Sequence, residues 1–420
     1  MQVKGKEDYM KSKEMYHKLA RLFVRRGMNV QKGQPVTIKI DVAQHEFADM
    51  LIEEAYKAGA RYVDVDWRDT KLTECRSLYE KDDTLYDVPD WMIAQIKKKQ
   101  EDGYCLLNVI SISPDALKNA DMDRLTQMNI AVSKKTRDLS VYTANNIGQW
   151  CVAGIPSKEW AKSVFPDLSE EEAFEKLEEA IFMVSRVDEN SDPIENWEKH
   201  DAELVEHAKK MTDYAFDSLH FTSELGTDIT VGLVKDHIWA GGNGYTQSGI
   251  LFDPNIPTEE IFCMPDNTRI NGIVYASKPL LFAGQKIENF YLKFKDGKVV
   301  DFDAKNGKDT LEKLLATDEG SLSLGEVALV PYDSPVSKAG ILFCDTLYDE
   351  NAACHLALGA CYPENLKGGL DMSEEDLKKH HGNVSAIHED FMFGTKELNV
   401  DGIREDGTEV PVFRHGNFVI

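Results

Sequence analysis

The first part of the chain alternates between short apolar runs and segments whose apolar residues recur every three or four positions. The runs at 36–40, 62–67, 104–110 and 150–154 predict β-strands. Helices are predicted at 9–27, 47–58 and 88–100, and after Ser157, a residue type that can cap a helix. Gly59 is expected to end the second of these helices. Strands alternating with helices predict a parallel, doubly wound sheet.

The pattern changes in the second half of the chain. Residues 169–215 are helical in pattern and acidic, with a break at 187–193. Beyond about residue 216, short alternating strands and Gly/Pro turns dominate, as at 228–233, 272–276, 290–294 and 298–300. We therefore predict an N-terminal α/β domain at 1–188 and a mainly antiparallel, C-terminal α+β domain at 189–420.

Length and charge limit the classes of protein that remain. A chain of 420 residues with 42% hydrophobic residues is long enough for two domains with sizeable cores. The net charge of −25 argues against nucleic acid or an anionic membrane surface as the main partner, because both require a basic face.

Cysteine usage indicates a reducing compartment. The seven cysteines are an odd number, and no Cys-x-x-Cys pair occurs. The start of the chain lacks the apolar core of a secretion signal, and no apolar run reaches the length of a membrane span. We expect reduced thiols and a cytoplasmic protein.

Candidate chemistry is concentrated between Glu260 and Asp390, where carboxylates and imidazoles lie in or beside apolar runs. Burying a charge is costly unless the charge is paired or binds a metal. Several such groups meeting in one fold would suit one or two divalent ions.

Glu326 lies in the apolar run 322–330, which predicts a strand. On a regular strand, Leu322, Leu324, Glu326, Ala328 and Val330 share one face. The alternative is an edge strand with Glu326 directed toward water.

His388 and Asp390 are two residues apart in a second predicted strand, so they project from the same face. A His-x-Asp pair of this kind is suited to bind a metal. The alternative is a hydrogen-bonded His–Asp pair without a metal.

Residues 351–362 have the pattern of a helix, with Asp349 as a possible cap. His355 and Tyr362 would then lie on one helix face, two turns apart. Glu350 is five residues before His355 and must project from the first turn or the preceding loop. A histidine packed in the core is the alternative for His355.

Glu260 follows Pro257-Thr258-Glu259, and by itself it is equally consistent with a solvated loop carboxylate. Glu260 becomes a candidate ligand only because other carboxylates and histidines follow it in the same region of the chain.

Four stretches together resemble the thermophilic-aminopeptidase family of metallopeptidases, the aminopeptidase T, AmpS and PepS group. The stretches are Asn255-Ile256-Pro257-Thr258-Glu259-Glu260, Leu324-Gly325-Glu326-Val327-Ala328-Leu329-Val330-Pro331, residues 346–359 from Thr346 through Asp349-Glu350-Asn351 to Gly359, and Asn383-Val384-Ser385 before His388. Their order and spacing fit over the whole C-terminal half, and the N-terminal α/β half is compatible.

The resemblance implies an aminopeptidase with two divalent metal ions, which could be zinc, cobalt, manganese or magnesium. The implied metal ligands are Glu260, Glu326, Glu350, His355, His388 and Asp390. Tyr362 matches the family's catalytic tyrosine, and Glu326 is the carboxylate expected to help deprotonate water. Short peptides with a free N-terminus are the implied substrates, and a homodimer is the implied assembly.

Two positions depart from the family pattern. Glu389 stands where a small or apolar residue is usual, and Cys344-Asp345 stands where an aromatic residue and Asn are expected. Neither departure removes an implied ligand.

Two other functions remain open from the residues. One is a metal-dependent amidase acting on small non-peptide amides. The other is a non-catalytic protein that binds a small ligand in its N-terminal half, although that half lacks a Gly-x-Gly-x-x-Gly after its first strand.

Overall fold

The computed structural model describes residues 6–111, 113, 116–282 and 284–420. The chain forms two compact units. The first unit contains the residues up to Lys199 together with Asn243–Pro257, and the second contains His200–Gly242 and Thr258–Ile420. The first division falls between Lys199 and His200, inside the helix Pro193–Tyr214, and the 188/189 domain boundary stays a prediction. Nothing in the composition indicates that 243–257 belongs with the first unit.

The α-helices of the described residues follow in chain order. They are α1 Lys6–Leu22, α2 His45–Ala58, α3 Thr70–Tyr79, α4 Asp82–Leu85, α5 Asp90–Glu101, α6 Met122–Ala144, α7 Lys158–Val164, α8 Glu170–Val184, α9 Pro193–Tyr214, α10 Lys308–Leu315, α11 Pro335–Ala339, α12 Thr346–Glu350 and α13 Glu374–Lys379. A π-helical turn, Phe23–Gly27, continues α1.

The strands are numbered in the same way. They are β1 Pro35–Asp41, β2 Tyr62–Arg68, β3 Cys105–Ile110, β4 Trp150–Gly154, β5 Ser218–Thr222, β6 Asp228–Leu233, β7 Ala240–Gly241, β8 Gly244–Tyr245, β9 Leu251–Phe252, β10 Asn255–Ile256, β11 Ile261–Cys263, β12 Pro265–Tyr275, β13 Leu280–Phe282, β14 Gln285–Lys295, β15 Lys298–Asn306, β16 Leu324–Leu329, β17 His355–Gly359, β18 His388–Met392, β19 Asn399–Ile403, β20 Glu409–Arg414 and β21 Asn417–Phe418.

The first unit is built on a parallel sheet with the strand order β10-β4-β3-β1-β2. The order runs outward from β1 in both directions, which is the arrangement of a doubly wound α/β sheet. This confirms the fold class predicted from the alternating pattern.

Local sequence signals explain several element ends in this unit. Gly59 ends α2 in the left-handed conformation at φ 100°, and its N–H closes the last turn. Ser157 caps α7 by accepting a hydrogen bond from the Trp160 N–H. Ser169 and Glu172 form a capping box at the start of α8. The predicted helix boundaries at 59 and 157 are therefore correct.

The second unit contains two antiparallel sheets. The sheet with the order β18-β17-β16-β11-β7 is called the site sheet below. The other, called the large sheet, has the order β13-β14-β12-β6-β5-β19-β20-β21, with β15 paired to β14. A single buried cluster joins Leu324, Leu356 and Phe391 of the site sheet to Val231, Ile270 and Leu292 of the large sheet. One face of the site sheet therefore lies in the core.

Among the described residues, no helix combines the length and the apolar character that crossing a bilayer would require.

Candidate metal centre

The second face of the site sheet carries the predicted ligands. In the β16–β17 pair, Glu326 lies opposite Ala357 and Ala328 lies opposite His355. In the β17–β18 pair, Asp390 lies opposite Ala357 and Gly359 lies opposite His388. Directly opposed residues of antiparallel strands project from the same face. Four of the predicted ligands therefore share one face, and small residues separate them.

Glu326 is 4% exposed in an interior strand, so the alternative of an edge carboxylate in water is wrong. Part of the prediction for its face is also wrong. The register of β16 shifts between Leu324 and Glu326, and Leu324 consequently lies opposite Leu358 on the core face. The shift is a β-bulge at Gly325, where an added Cβ would lie 2.2 Å from the Ala360 carbonyl oxygen.

The helix predicted over 351–362 is also wrong. Helix α12 ends at Glu350, and His355–Gly359 forms the fully buried strand β17. Asp349 lies within α12, whose N-cap residue is Asp345. The sequence pattern predicts a helix here for two reasons. Leucine and alanine favour helices, and an interior strand covered on both faces shows little alternation of apolar and polar residues. His355 and Tyr362 consequently do not share a helix face.

Tyr362 nevertheless lies beside the candidate metal centre. It lies three residues beyond β17, at the start of the 3₁₀ turn Pro363–Asn365. Its ring centroid is 4.6 Å from that of His388 and 5.7 Å from that of Phe262. The residue is 42% exposed, so a substrate can reach it.

Glu260 lies immediately before β11 and is only 7% exposed, so the solvated-loop alternative is wrong for this residue. Its Oε2 is 2.9 Å from His355 Nε2. Glu350 ends α12 and lies within electrostatic range of Asp390 and Glu260. The other five predicted ligands are brought within ligand distance in the two groups below, whereas Glu350 lies beside them without belonging to either group.

The ligand atoms form two overlapping groups. Glu260, Glu326 and His355 form the first, and Glu326, His388 and Asp390 form the second, with the candidate atoms of each group within 4.8 Å of one another. His355 Nε2 is 3.8 Å from Glu326 Oε1, whereas His388 Nε2 is 3.1 Å from Glu326 Oε2. Glu326 therefore directs one oxygen toward each group.

Both imidazoles are oriented by main-chain carbonyls. His355 Nδ1 lies 3.2 Å from the Ala353 oxygen, and His388 Nδ1 lies 2.7 Å from the Ala360 oxygen. A carbonyl oxygen only accepts, so each Nδ1 carries the proton and donates it. Each Nε2 then presents a lone pair to the carboxylates when the ring is neutral, which is the usual arrangement of metal-binding histidines.

The charges of the cluster perturb one another strongly. Burial would lower the pKa of His355, yet the charge of Glu260 raises it well above its ordinary value. His388 is affected in the same way by Asp390. Burial raises the pKa of Glu350 well above its ordinary value, and the charges of Asp390 and Glu260 raise it further. The carboxylates of the cluster therefore favour positive charge among them.

The residues fit a divalent metal. Three buried atoms of the cluster, Glu260 Oε2, His388 Nε2 and Asp390 Oδ1, make no hydrogen bond of good geometry within the described residues and face only other ionisable groups of the cluster. Buried polar atoms without a partner are costly, and a shared cation would satisfy all three. The donors are carboxylate oxygens and imidazole nitrogens, and neither group includes a cysteine. Such donors accept zinc, cobalt or manganese without selecting sharply among them.

Glu389 lies on the opposite face of β18 from His388 and Asp390. It is paired with Leu358, a residue of the apolar core. Partial burial, together with the charge of Asp390, raises its pKa to about 7. The side chain of Glu389, the residue that departs from the family pattern, therefore points away from the ligand face.

The chain thus combines an α/β unit with an antiparallel unit whose carboxylates and imidazoles are suited to bind a metal. This combination indicates a metal-binding protein. Comparison with known proteins narrows the class to one family. Residues 12–418 match the family described as Thermophilic metalloprotease (M29), and the chain belongs to it.

Characterised relatives match over almost the whole chain. Aminopeptidase AmpS of Bacillus subtilis is 41% identical over 95% of this chain and 97% of its own length. Aminopeptidase T of Thermus aquaticus is 39% identical over 97% of this chain and 99% of its own length. The structure of wild-type AmpT from Thermus thermophilus superimposes with a TM-score of 0.91 at 38% identity, covering 97% of this chain and 100% of that one.

A more distant structure shares only the fold. The 2,5-dihydroxypyridine dioxygenase of Pseudomonas putida superimposes with a TM-score of 0.54 at 11% identity, covering 98% of this chain and 97% of that one. At this identity, the likeness carries no argument about the reaction.

The sequence alone does not point to some residues that shape the centre. Ala357 and Gly359 leave room between the ligands, and Asn351 holds the main chain beside two of them. Correct assignment of β17 as a strand would have placed His355, Ala357 and Gly359 on one face. No comparable signal points to Asn351, because its contacts are made across the fold.

Proposed function

We propose that this chain is a metal-dependent aminopeptidase that uses two divalent ions to remove N-terminal residues from short peptides. The observation that carries the proposal is the shared position of Glu326, which directs Oε1 toward one group of ligands and Oε2 toward the other. The family membership and the names of its relatives support the same activity.

The ligand sets follow from the two groups. Glu260, Glu326 and His355 would hold one ion, and Glu326, His388 and Asp390 would hold the other. Glu350 would complete the centre from the end of α12. When bound, two such ions lower the pKa of a water molecule and polarise the scissile carbonyl.

Glu326 is the proposed general base. Its carboxylate lies between both histidines, so it can accept a proton from water placed at the centre of the cluster. Attack of that water on the carbonyl carbon forms a C–O bond. The C–N bond then breaks, and the proton passes to the departing amine. Burial of Glu326 keeps bulk water from competing for this step.

Tyr362 is the proposed oxyanion donor. Although the residue as a whole is 42% exposed, desolvation beside the cluster raises the pKa of its hydroxyl well above the ordinary value, and the charges of Glu326 and Asp390 raise it further. The phenol therefore remains protonated at neutral pH and can donate a hydrogen bond to the developing oxyanion. In comparable sites, such a donor contributes on the order of 3 kcal/mol to the stability of the transition state.

The acidity of the centre supports the removal of N-terminal residues. A peptide with a free N-terminus carries a positive α-amine, which a carboxylate of the centre that is not engaged by an ion would attract. An acylated amine has no such charge and loses this contribution to binding. The free amine therefore places the first peptide bond, and no internal one, beside Glu326 and Tyr362.

We also propose that the enzyme acts in the cytoplasm as a homodimer. Within the described residues no disulfide joins any of the cysteines, which supports a reducing compartment. The dimer rests on family resemblance, and sedimentation equilibrium would test it.

The experiment is hydrolysis of a panel of aminoacyl-p-nitroanilides, with the N-acetylated form of the best substrate as control. Each is measured after chelation and again after zinc, cobalt, manganese or magnesium is added back. The proposal expects activity that requires both a metal and a free amine, and the panel then shows the preferred side chain.

Other outcomes would assign another function. Metal-dependent cleavage of the acetylated control would point to an amidase with no requirement for the amine. A folded protein that hydrolyses nothing with any of the metals would contradict the proposal and favour a binding protein.

A further inference from the structure

The peptide group that joins Thr258 to Glu259 is held at both ends by buried side chains. His200 Nε2 lies 2.7 Å from the Thr258 carbonyl oxygen, so the imidazole N–H donates to it. The Glu259 N–H donates to Asn351 Oδ1 at 2.6 Å. The next residue along the chain is Glu260, a proposed metal ligand. Rotation of this peptide group would therefore move the carboxylate of Glu260.

Asn351 makes a second connection with its other amide atom. Its Nδ2 donates to the Leu347 carbonyl oxygen at 2.7 Å, inside α12, which ends at Glu350. One partner must donate and the other must accept, so the amide can be oriented in only one way. A single side chain thus joins the segment that carries Glu260 to the helix that carries Glu350.

The local surroundings suit this connection. Asn351 is fully buried, and its main-chain oxygen accepts a hydrogen bond from Ser334 Oγ at 3.2 Å. Aspartate at this position would direct a carboxylate toward the Leu347 carbonyl, and alanine would leave two buried main-chain groups unpaired. Unpaired buried groups cost about 1–3 kcal/mol each, so the segment would move to recover partners.

We propose that Asn351, together with His200, is a positioning residue that fixes Glu260 and Glu350 relative to each other so that the metal centre is formed in advance. The inference rests on the proposed function only in taking these two glutamates as metal ligands. Side chains that orient ligands in this way typically contribute about 10- to 100-fold to metal affinity.

The test compares Asn351→Ala with Ser321→Ala, using Co²⁺ alone as the probe. Ser321 is also fully buried, and its hydroxyl, which has one proton to donate, lies 2.9 Å from the Leu315 carbonyl oxygen and 2.7 Å from the Asp318 carbonyl oxygen. It contacts no proposed ligand in these hydrogen bonds. Co²⁺ affinity is measured by competition with a chelator, the visible absorption band reports coordination, and thermal unfolding reports stability.

Both variants are expected to lose stability, but only Asn351→Ala should bind Co²⁺ about 10- to 100-fold more weakly and show an altered absorption band. If Asn351→Ala does not fold, His200→Ala answers the same question, because it releases the other end of the peptide group. Wild-type affinity and an unchanged band in a folded variant would overturn the inference.

The result is separable from the aminopeptidase proposal. A wild-type protein that binds Co²⁺ but hydrolyses no aminoacyl-p-nitroanilide would contradict the function, while the variant affinities would still decide the role of Asn351. A wild-type protein that binds no Co²⁺ would overturn both.

Discussion

Glu326 and Asp390 lie on either side of Ala357, each directly opposite it in an antiparallel pair. All three project from the same face of the site sheet, and only a methyl group occupies the position between the two carboxylates. The spacing that the two ligand groups require is therefore set by strand register and by one small residue. A larger side chain at this position would enter the proposed metal centre.

Ala357→Leu is accordingly expected to abolish metal binding and activity while the sheet still forms. The added atoms would occupy the space between the carboxylates, and overpacking of this kind costs about 1–3 kcal/mol of stability. Metal content after dialysis and thermal unfolding measure the two effects. Ala357→Gly is the control, since it should retain its metal and lose only about 0.5–1 kcal/mol. Normal metal content in Ala357→Leu would contradict the account.

Tyr362→Phe is expected to lower kcat roughly 100- to 1,000-fold with little change in metal content, because it removes one hydrogen-bond donor to the oxyanion. Steady-state kinetics and metal analysis on the same preparation test this. Loss of metal from the variant would show instead that Tyr362 is a ligand or supports the structure of the centre.

Glu326→Gln and Glu260→Gln should differ in how much metal they lose. Glu326 belongs to both ligand groups, so its substitution should weaken both ions. Glu260 belongs to only one group, so Glu260→Gln should weaken one ion and retain the other. Metal per chain after dialysis against a weak chelator measures the difference. Equal losses in the two variants would contradict a bridging role for Glu326.

Asp266 gives a prediction for the pH dependence of stability. Although burial opposes the shift, hydrogen bonds from Thr268, His381 and Arg269 hold its pKa below the ordinary value. A depressed pKa in the folded state stabilises the protein above the unfolded pKa of about 3.9, and this stabilisation is lost as the pH falls through the folded pKa.

Asp266→Asn should therefore reduce the free energy of unfolding by roughly 1–3 kcal/mol at pH 7, with the difference from wild type shrinking below about pH 4. Urea unfolding across this pH range measures it. Asp333→Asn is the control, because that side chain is 71% exposed and should change stability by less than about 0.5 kcal/mol. A difference that does not depend on pH would show that the charge of Asp266 is not responsible.

The alternating pattern of the first half was sufficient to predict its parallel sheet. Residues 104–110 form a nearly continuous apolar run typical of a strand buried on both faces, 36–40 alternate as a strand does, and signals such as Gly59 and Ser157 mark the helix ends. The pattern does not predict helix α6, because its apolar residues are not gathered on one buried face: only Leu125 and Tyr142 among them are buried.

The candidate site was predicted unevenly. His388 and Asp390 could be placed on one strand face from their spacing, and the structure agrees. The apolar pattern around His355 predicts a helix where the structure has a strand, because composition does not distinguish a short buried helix from an interior strand. The bulge at Gly325 places Leu324 on the opposite face of the sheet from Glu326. The close approach of the Ala360 carbonyl to Gly325 explains the bulge. Such register changes depend on neighbouring strands that a single sequence does not specify.

The central claim, a centre of two ions that removes N-terminal residues, is tested most directly by adding Co²⁺ stepwise to the metal-free protein. Bound metal and the rate of aminoacyl-p-nitroanilide hydrolysis are followed together. The account predicts that activity reaches its maximum at two ions per chain and that the N-acetylated substrate remains uncleaved throughout. Maximal activity with one ion per chain, or activity that does not depend on added metal, would contradict it.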